Sequence, residues 1–388
     1  MQLTHRPLNC LVVNASFFKT EIQHSMKRRQ FVTGVAAAVG LSACAEEETA
    51  STTSARSTET FEWNMVTSWP AGLPGIGVGV QNLADRLEKT SNGRLKVKVY
   101  AGGELVPALE VLDAVSRGTV QMGHDSAYYH RGKVPAAQYF TAVPFGQTVH
   151  EKNAWLYYGG GLELWRELYA PFNVIPFVAG NTGVQMAGWF NKEINSVADL
   201  KGLKMRIPGV GGEVMRRAGV TQVNVPASEI FTALQTGALD AAEWVGPYND
   251  IALGLHKAAR YYYYPGWHEP GPMLQFTVNR DAWNTLPEDL QEIIGTACQA
   301  INVDMMADHT WGNAVALKQL KEDPNVELRR LPDDVLKLLR QYSQEALDEL
   351  SANDEGAARI QASFNDFQNM AIPYHEISEM AYLNARSL

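Results

Sequence analysis

The chain has 388 residues, of which 46% are hydrophobic and 19% are charged, and its formal net charge is −9. This length exceeds the usual size of a single hydrophobic core, so we expect two lobes, and the composition excludes a disordered or fibrous protein. Without residues 1–44, 28 Lys and Arg face 41 Asp and Glu, a net charge of −13. Because no basic patch stands out, nucleic acid is not an expected partner.

An export signal is predicted near the start of the chain. Lys27-Arg28-Arg29 precede an apolar segment, residues 31–41, that has the length of a signal-peptide core and is too short to span a bilayer. The paired arginines indicate the twin-arginine export route. Met26 directly precedes them and offers an alternative start, which would leave residues 1–25 untranslated.

The end of the signal allows two interpretations. Leu41-Ser42-Ala43-Cys44 resembles a lipobox, in which Cys44 becomes the lipid-anchored first residue of the mature protein, or it is an ordinary cleavage site with an incidental Cys. Residues 45–60 are rich in Glu, Ser and Thr and predict a flexible linker. Both interpretations place the protein in the periplasm or otherwise outside the cytoplasmic membrane.

Alternating strands and helices follow the linker. Residues 61–69 and 95–100 have the pattern of strands, and residues 77–90 between them carry apolar side chains on one helical face. A further helix is predicted at 108–117. This strand-helix-strand order predicts an α/β fold with helices on both faces of the sheet.

Composition changes divide the chain into lobes. We assign residues 61–180 to the first part of lobe I, 181–264 to lobe II and 265–330 to a return to lobe I. Thr285-Leu-Pro-Glu288 has the pattern of a capping box that starts a helix to about Met306. Residues 331–388 predict long C-terminal helices, which either pack on the body of the chain or contact a second subunit as a homodimer.

Four segments of the chain have sequences typical of one protein family: Met65–Pro70, Lys96–Glu104, Asp199–Gly209 and Thr236–Tyr248. Together they resemble the solute-binding receptors of tripartite ATP-independent periplasmic (TRAP) transporters. The resemblance implies a two-lobed periplasmic-binding-protein fold, with mixed sheets flanked by helices and hinge crossovers, that delivers a solute to TRAP membrane subunits.

Two segments of the chain are similar to a subgroup of that family. Glu243-Trp-Val-Gly-Pro-Tyr248, followed by Tyr261-Tyr-Tyr-Tyr-Pro-Gly-Trp267, is similar to receptors of 2-oxo acids such as pyruvate or 2-hydroxy acids such as lactate. His268 departs from the pattern, since relatives often have an aromatic residue there.

Arg206 is the candidate carboxylate anchor. Its position at the end of Leu203–Ile207 is by itself also typical of a solvated charge at a strand end. The resemblance implies that its guanidinium binds the carboxylate of the ligand, a bidentate geometry for which Lys is a poor substitute.

Glu243 lies in an apolar setting, where an unpaired carboxylate is costly to bury. It either forms a structural ion pair or binds a cation that separates it from the anionic ligand. The resemblance implies a bridging Na⁺ or Ca²⁺ with oxygen ligands from Gln185, Glu243 and the main-chain carbonyl of Trp244, and Glu269 is a further candidate.

Other residues are predicted to contact the ligand. The resemblance implies that Asn181 donates to the substrate, although Asn next to Gly is also ordinary turn chemistry. Tyr128 and Tyr129 resemble the wall of the pocket in the first lobe, and a tyrosine pair can equally belong to the core or rim. Trp244 is expected at the same pocket.

Non-enzymatic binding is the leading functional hypothesis. An enzyme is the alternative, since the twin-arginine route often exports cofactor-loaded proteins, but no GxSxG, HExxH, haem-attachment or phosphate-loop motif occurs. No organic cofactor is expected. A sensor with the same fold is a third hypothesis, because fold does not fix the downstream partner.

Overall fold

The computed structural model describes residues 59–388. The predicted signal, the lipobox at Cys44 and most of the 45–60 linker lie outside the described residues. Strands and helices are numbered in chain order. The strands are β1 (Phe61–Thr67), β2 (Leu95–Tyr100), β3 (Met122–Asp125), β4 (Val174–Asn181), β5 (Gly188–Phe190), β6 (Lys204–Arg206), β7 (Thr221–Val223), β8 (Ala241–Ala242), β9 (Tyr261–Tyr264), β10 (Met273–Asn279) and β11 (Glu327–Arg330).

The helices alternate with these strands and then dominate the C-terminal third. They are α1 (Ile76–Thr90), α2 (Val111–Ser116), α3 (Gln138–Thr141), α4 (Val149–Tyr158), α5 (Gly161–Tyr169), α6 (Gly209–Arg217), α7 (Ala227–Gln235), α8 (Pro247–Ala252), α9 (Arg280–Trp283), α10 (Glu288–Glu322), α11 (Asp333–Asn353), α12 (Glu355–Ile377) and α13 (Glu379–Arg386). The predicted α/β fold, with two mixed sheets flanked by helices, is confirmed.

The first lobe is built on a five-stranded sheet in the order β2-β1-β3-β10-β4. Strands β1, β2 and β3 are parallel, as expected from right-handed strand-helix-strand units, and β10 runs antiparallel to β3 and β4 because it returns from the second lobe. Helix α1 buries Val80, Leu83 and Leu87 against this sheet, which is the face that the sequence predicts. The helix ends before Asn92 and Gly93, which have positive φ angles.

The second lobe is built on a six-stranded sheet in the order β11-β9-β5-β8-β6-β7. The prediction that residues 265–330 return to lobe I is wrong for β11, which pairs in parallel with β9 at the edge of the second sheet. Hydrogen bonds at both ends fix this position: Glu327 N donates to Arg260 O at 2.9 Å, and Leu331 N donates to Tyr264 O at 2.8 Å. The chain therefore crosses between the lobes once more than the sequence indicates.

Helix α10 is longer than predicted and starts differently. It begins at Glu288 after Pro287 and runs to Glu322, and it packs on α1 and β4 of the first lobe and on α8 of the second. The predicted capping box is wrong, because the Thr285 hydroxyl donates to Ala282 O at 2.7 Å and so ends α9 instead. The helix continues past Met306 because every third or fourth residue stays buried as far as Leu320.

The C-terminal helices pack on both lobes, and most residues from 370 onward are exposed. Helix α11 packs on α6 of the second lobe, and α12 packs on α3, α4 and α5 of the first. Their early apolar residues are buried, while large apolar side chains are exposed from Met370 onward. Among residues 59–388, no helix combines the length and the apolar character that a membrane-spanning helix needs.

Candidate functional site

Two parallel strands bring Arg206 and Glu243 together. Arg206 ends β6, and Glu243 directly follows β8, its neighbour in the second sheet. Glu243 N donates to Arg206 O at 3.0 Å and so continues the ladder by one bond. The carboxyl ends of neighbouring parallel strands are the usual place for ligand sites in α/β folds.

The two side chains form a fully buried ion pair. Arg206 Nη1 donates to Glu243 Oε2 at 3.0 Å and to the Glu243 main-chain oxygen at 2.6 Å. Arg206 is 1% exposed and Glu243 is 0% exposed. Burial lowers the pKa of Arg206, but Glu243 and nearby acidic groups outweigh that effect and raise it overall. The guanidinium therefore stays charged in the interior, next to a carboxylate that it compensates.

Glu269 adds a second buried carboxyl group to this site. Oxygen atoms of Glu243 and Glu269 and a ring nitrogen of His268 lie within 4.8 Å of one another. Burial, and next the charge of Glu243, raise the pKa of Glu269 well above its usual value, although Arg206 opposes the shift. Two carboxylates this close in a dry site cannot both be ionised without further positive charge.

Gln185 lies on the segment that connects β4 to β5, and Glu269 lies on the segment that connects β9 to β10. These are two crossovers between the lobes. Gln185 N donates to Glu269 O at 3.2 Å, and Gly266 lies so close that a Cβ atom there would be 2.0 Å from Gln185 O. The crossovers are thus in direct contact, and residues from both contribute to the site.

The donor set fits a hard cation. Gln185 Oε1, Glu243 Oε1 and Glu269 Oε2 are buried oxygens without a hydrogen-bond partner. Such orphaned acceptors are rare and costly, and one cation with oxygen ligands can satisfy several of them at once. The predicted metal ligands Gln185, Glu243 and Glu269 are therefore suited to this role.

Aromatic side chains form the wall of the site. The Trp244 ring lies 5.0 Å from the Arg206 guanidinium carbon, and Trp69 contacts Trp244 edge-on at 6.2 Å between ring centroids. Tyr129 lies 6.3 Å from Trp69 and 4.9 Å from Tyr128. These rings exclude water and give the guanidinium a cation–π partner.

Both tyrosines remain protonated. Burial raises the pKa of Tyr129 to about 12, and burial together with Glu269 raises that of Tyr128 well above its usual value. Their hydroxyl groups are consequently hydrogen-bond donors at every physiological pH.

Trp69 and His268 line the site, but the sequence did not identify them as site residues. Trp69 follows β1 at its carboxyl end, and its Nε1 donates to His124 Nδ1 at 2.9 Å. The other His124 nitrogen lies 2.9 Å from Ala179 O, so the ring is held on both sides. Burial lowers the pKa of His124 to about 4, which keeps it neutral and able to accept from Trp69. The position of Trp69 after a strand and before Pro70 was the available signal.

Asn181 was predicted to donate to the ligand, but its side chain forms hydrogen bonds with other residues of the protein. Its Nδ2 donates to Asn302 O at 3.0 Å and to Asn302 Oδ1 at 2.7 Å, and its Oδ1 accepts from Gly183 N at 3.2 Å. These bonds anchor the crossover to α10 and form the turn that the neighbouring glycine indicates. Donation from Asn181 to a ligand remains a prediction.

The first lobe closes directly on the end of β6. Gly209 has φ of 61°, and a Cβ atom there would lie 3.2 Å from the Tyr128 ring. Arg131 Nη1 donates to Gly209 O at 3.0 Å. Contacts three residues from Arg206 therefore link both lobes, and only glycine is well suited to this close approach.

Comparisons with known proteins match this geometry. Residues 66–354 match the family described as bacterial extracellular solute-binding protein, family 7, DctP. The monocarboxylate 2-oxoacid-binding periplasmic protein of Nostoc sp. is 44% identical over 365 residues, which cover 93% of this chain and 99% of that relative.

Two solved structures of TRAP solute-binding proteins are also similar. One, from Pseudoalteromonas atlantica with bound sodium and pyruvate, is 42% identical with a TM-score of 0.82, over 84% of this chain and 99% of that one. The other, from Bordetella bronchiseptica, is a mixed-occupancy dimer with copurified calcium and picolinate; it is 38% identical with a TM-score of 0.83, over 84% of this chain and 97% of that one.

The resemblance to TRAP receptors seen in the sequence is thereby confirmed. The chain belongs to the DctP family of bacterial extracellular solute-binding proteins, which are receptors that act outside the cytoplasm.

Proposed function

We propose that this protein is the extracytoplasmic receptor of a TRAP transporter for a small 2-oxo monocarboxylate such as pyruvate. The ligand binds together with Na⁺ or Ca²⁺ and passes unchanged to the membrane subunits. The observation that carries the proposal is the buried cluster of one arginine and two carboxyl groups, with three acceptor oxygens lacking a partner. The names of the similar proteins support the choice of ligand and cation.

Arg206 binds the carboxylate of the acid in this proposal. Its guanidinium is charged, buried and stacked on Trp244, so a carboxylate gains charge-assisted hydrogen bonds in a site of low dielectric constant. The Tyr128 and Tyr129 hydroxyl groups add neutral donors beside it. None of these donors carries a charge that depends on pH in the physiological range.

Gln185, Glu243 and Glu269 hold the cation, with the main-chain carbonyl of Trp244 as a further oxygen ligand. When bound, the cation offsets the negative charge of the two carboxylates and of the acid, and it can accept an oxygen atom from carbon 2 of the ligand. The protein residues orient the acid and exclude water from the site.

Calorimetry on protein stripped with a chelator tests this function. We expect pyruvate and 2-oxobutyrate to bind in Na⁺ or Ca²⁺ and to bind at least about tenfold more weakly without either, since a buried unpaired charge costs more than 1.4 kcal/mol. Lactate tests the 2-hydroxy acid alternative in the same cell. Absence of binding by all three acids in both cations would rule the assignment out, and recovery of a chemically altered acid would indicate an enzyme.

Substitution of Arg206 separates binding from stability. Arg206→Lys keeps the positive charge but loses the planar guanidinium that donates two parallel hydrogen bonds. Pyruvate affinity is therefore expected to fall at least about tenfold, because a charged hydrogen bond contributes about 1.5–3 kcal/mol. Arg206→Ala leaves Glu243 buried without its cation and is expected to lower the free energy of unfolding by about 3–5 kcal/mol in urea titrations.

Two further variants control that result. Arg206→Ala/Glu243→Gln removes both charges and should recover part of the lost stability. Arg216→Ala removes an exposed arginine of α6, whose surface ion pair contributes about 0–1 kcal/mol. If Arg206→Ala and Arg216→Ala unfold at the same urea concentration, the buried pair does not stabilise the protein as described.

We also propose that a second copy of the chain covers the exposed apolar side chains at the C-terminus. Met370, Tyr374, Ile377, Tyr382 and Leu383 are 47–79% exposed along α12 and α13, a density of large apolar groups typical of an interface. The dimer observed for the Bordetella bronchiseptica protein supports this proposal.

Sedimentation experiments check the dimer. Wild-type protein is expected to sediment at twice the mass of the chain, and Ile377→Glu/Leu383→Glu at the monomer mass, because two buried charges oppose association. Tyr158→Glu is the matched control, since Tyr158 is 94% exposed on α4 and lies outside this surface. A wild-type monomer at micromolar concentration would contradict the dimer.

Export by the twin-arginine route and lipid attachment at Cys44 complete the proposal. Arg28→Lys/Arg29→Lys is expected to leave the precursor in the cytoplasm, because the pair is the signature of that route. Cys44→Ser is expected to move the mature protein from the membrane fraction to the soluble periplasmic fraction. An unchanged distribution would instead indicate ordinary cleavage.

A further inference from the structure

His268 is a buried histidine without a hydrogen bond. It is 2% exposed and lies between Trp267 and Glu269 on the crossover from β9 to β10. Neither Nδ1 nor Nε2 has a partner. A buried imidazole normally donates a hydrogen bond from one nitrogen and accepts one at the other. Two unpaired nitrogens therefore indicate that the ring binds a partner other than a protein group.

Packing holds the ring in place. A Cβ atom at Gly211 would lie 2.9 Å from His268 Cβ, so the first turn of α6 presses on the base of the side chain. The Trp267 ring contacts the imidazole edge-on at 5.4 Å between centroids. The histidine is therefore directed into the site by its neighbours without any hydrogen bond of its own.

The nitrogen faces the carboxyl groups at a distance that suits a shared cation. His268 Nε2 lies 3.5 Å from Glu243 Oε1, which also has no hydrogen-bond partner. An ordinary N–H···O bond spans about 2.7–3.2 Å, so the contact is too long for a good one. Nitrogen at about 2.1 Å and oxygen at about 2.2 Å from one ion lie roughly 3.0–3.5 Å apart.

We propose that His268 supplies a nitrogen ligand to the cation of this site, which thereby also accepts divalent transition ions such as Mn²⁺ and Co²⁺. The inference rests on the proposed function, because it places the cation among Gln185, Glu243 and Glu269. An imidazole nitrogen is a good ligand for transition ions and a poor one for Na⁺ or Ca²⁺, which prefer oxygen. His268 thus changes which cations the site selects.

Pulsed electron paramagnetic resonance of the full mature protein loaded with Mn²⁺ alone tests this ligand directly. We expect the electron spin echo to show modulation from a coordinated imidazole ¹⁴N. His268→Gln is expected to abolish that modulation, and His309→Gln to leave it intact. His309 is the matched control, since it is also buried and has an unpaired Nε2 but lies on α10 against Gly75.

Metal affinities measured by calorimetry give an independent readout. His268→Gln is expected to lower Co²⁺ affinity at least about tenfold, Mn²⁺ affinity less, and Ca²⁺ affinity by under about threefold, in line with the preference of each ion for nitrogen. Equal losses for all three ions would mean that His268 acts only through packing and would overturn the inference.

The outcomes also separate this inference from the proposed function. Bound Mn²⁺ without ¹⁴N modulation, in protein that binds pyruvate with Ca²⁺, overturns the role of His268 and leaves the receptor function standing. Failure of Mn²⁺ and Co²⁺ to bind, in protein that binds pyruvate with Na⁺, overturns the role of His268 alone. Failure of pyruvate to bind with Na⁺, Ca²⁺, Mn²⁺ or Co²⁺ overturns both.

Discussion

The buried charge of Arg206 is the constraint on which the site depends. Among residues 59–388, it is the one Arg or Lys side chain paired with Glu243, and Glu269 brings a second carboxyl group within 4.8 Å of that residue. Inside a low-dielectric region, such charges interact over several ångströms with little screening. Arg206 can balance one carboxylate. The raised pKa of Glu269 reflects the unfavourable free energy of ionising the second carboxyl group in the same buried site. An acid anion adds more negative charge, so in the proposed function a second positive charge is a condition of binding.

The same residues connect the ligand to the position of the lobes. Gln185 and Glu269 lie on two crossovers. Arg206 ends β6 and Glu243 directly follows β8 in the second lobe, and Tyr128 belongs to the first. Groups that converge on the site therefore come from both lobes and from the crossovers between them. Receptors of this architecture open and close by hinge motion, and the differential contacts of a ligand with the closed state are what shift that equilibrium.

Local patterns in the sequence predicted those parts of the fold that depend on local interactions. Strands β1 and β2 and helix α1 follow directly from apolar periodicity. Strand β11 was missed because Glu-Leu-Arg-Arg has no apolar alternation and its partner strand lies more than 60 residues earlier. Helix α10 was cut short because polar and small residues, His309 and Gly312, occupy its buried face.

The prediction of the site residues shows the same difference between local motifs and long-range packing. Arg206, Glu243 and Trp244 were identified because they lie in motifs that resemble a known family. Trp69 and His268 depend on how a loop and a crossover pack against distant elements, which spacing along the chain cannot reveal. For Asn181, the sequence left a turn role and a ligand role open, and the structure contains the turn bond to Gly183.

Selection of a short acid with an oxygen atom at carbon 2 follows from where the binding energy arises in the proposed function. Without residues 1–44 the chain carries a net charge of −13, so its long-range field does not attract an anion, and salt screens that field beyond about 8 Å. Affinity must come from contacts inside the closed site. There the carboxylate can meet Arg206, and an oxygen at carbon 2 can lie near the oxygens that lack partners. An acid without that second oxygen would leave part of the cluster unsatisfied. Recognition in the proposed function therefore depends on the unpaired buried oxygens of Gln185, Glu243 and Glu269 as much as on the hydrogen bonds that Arg206 donates.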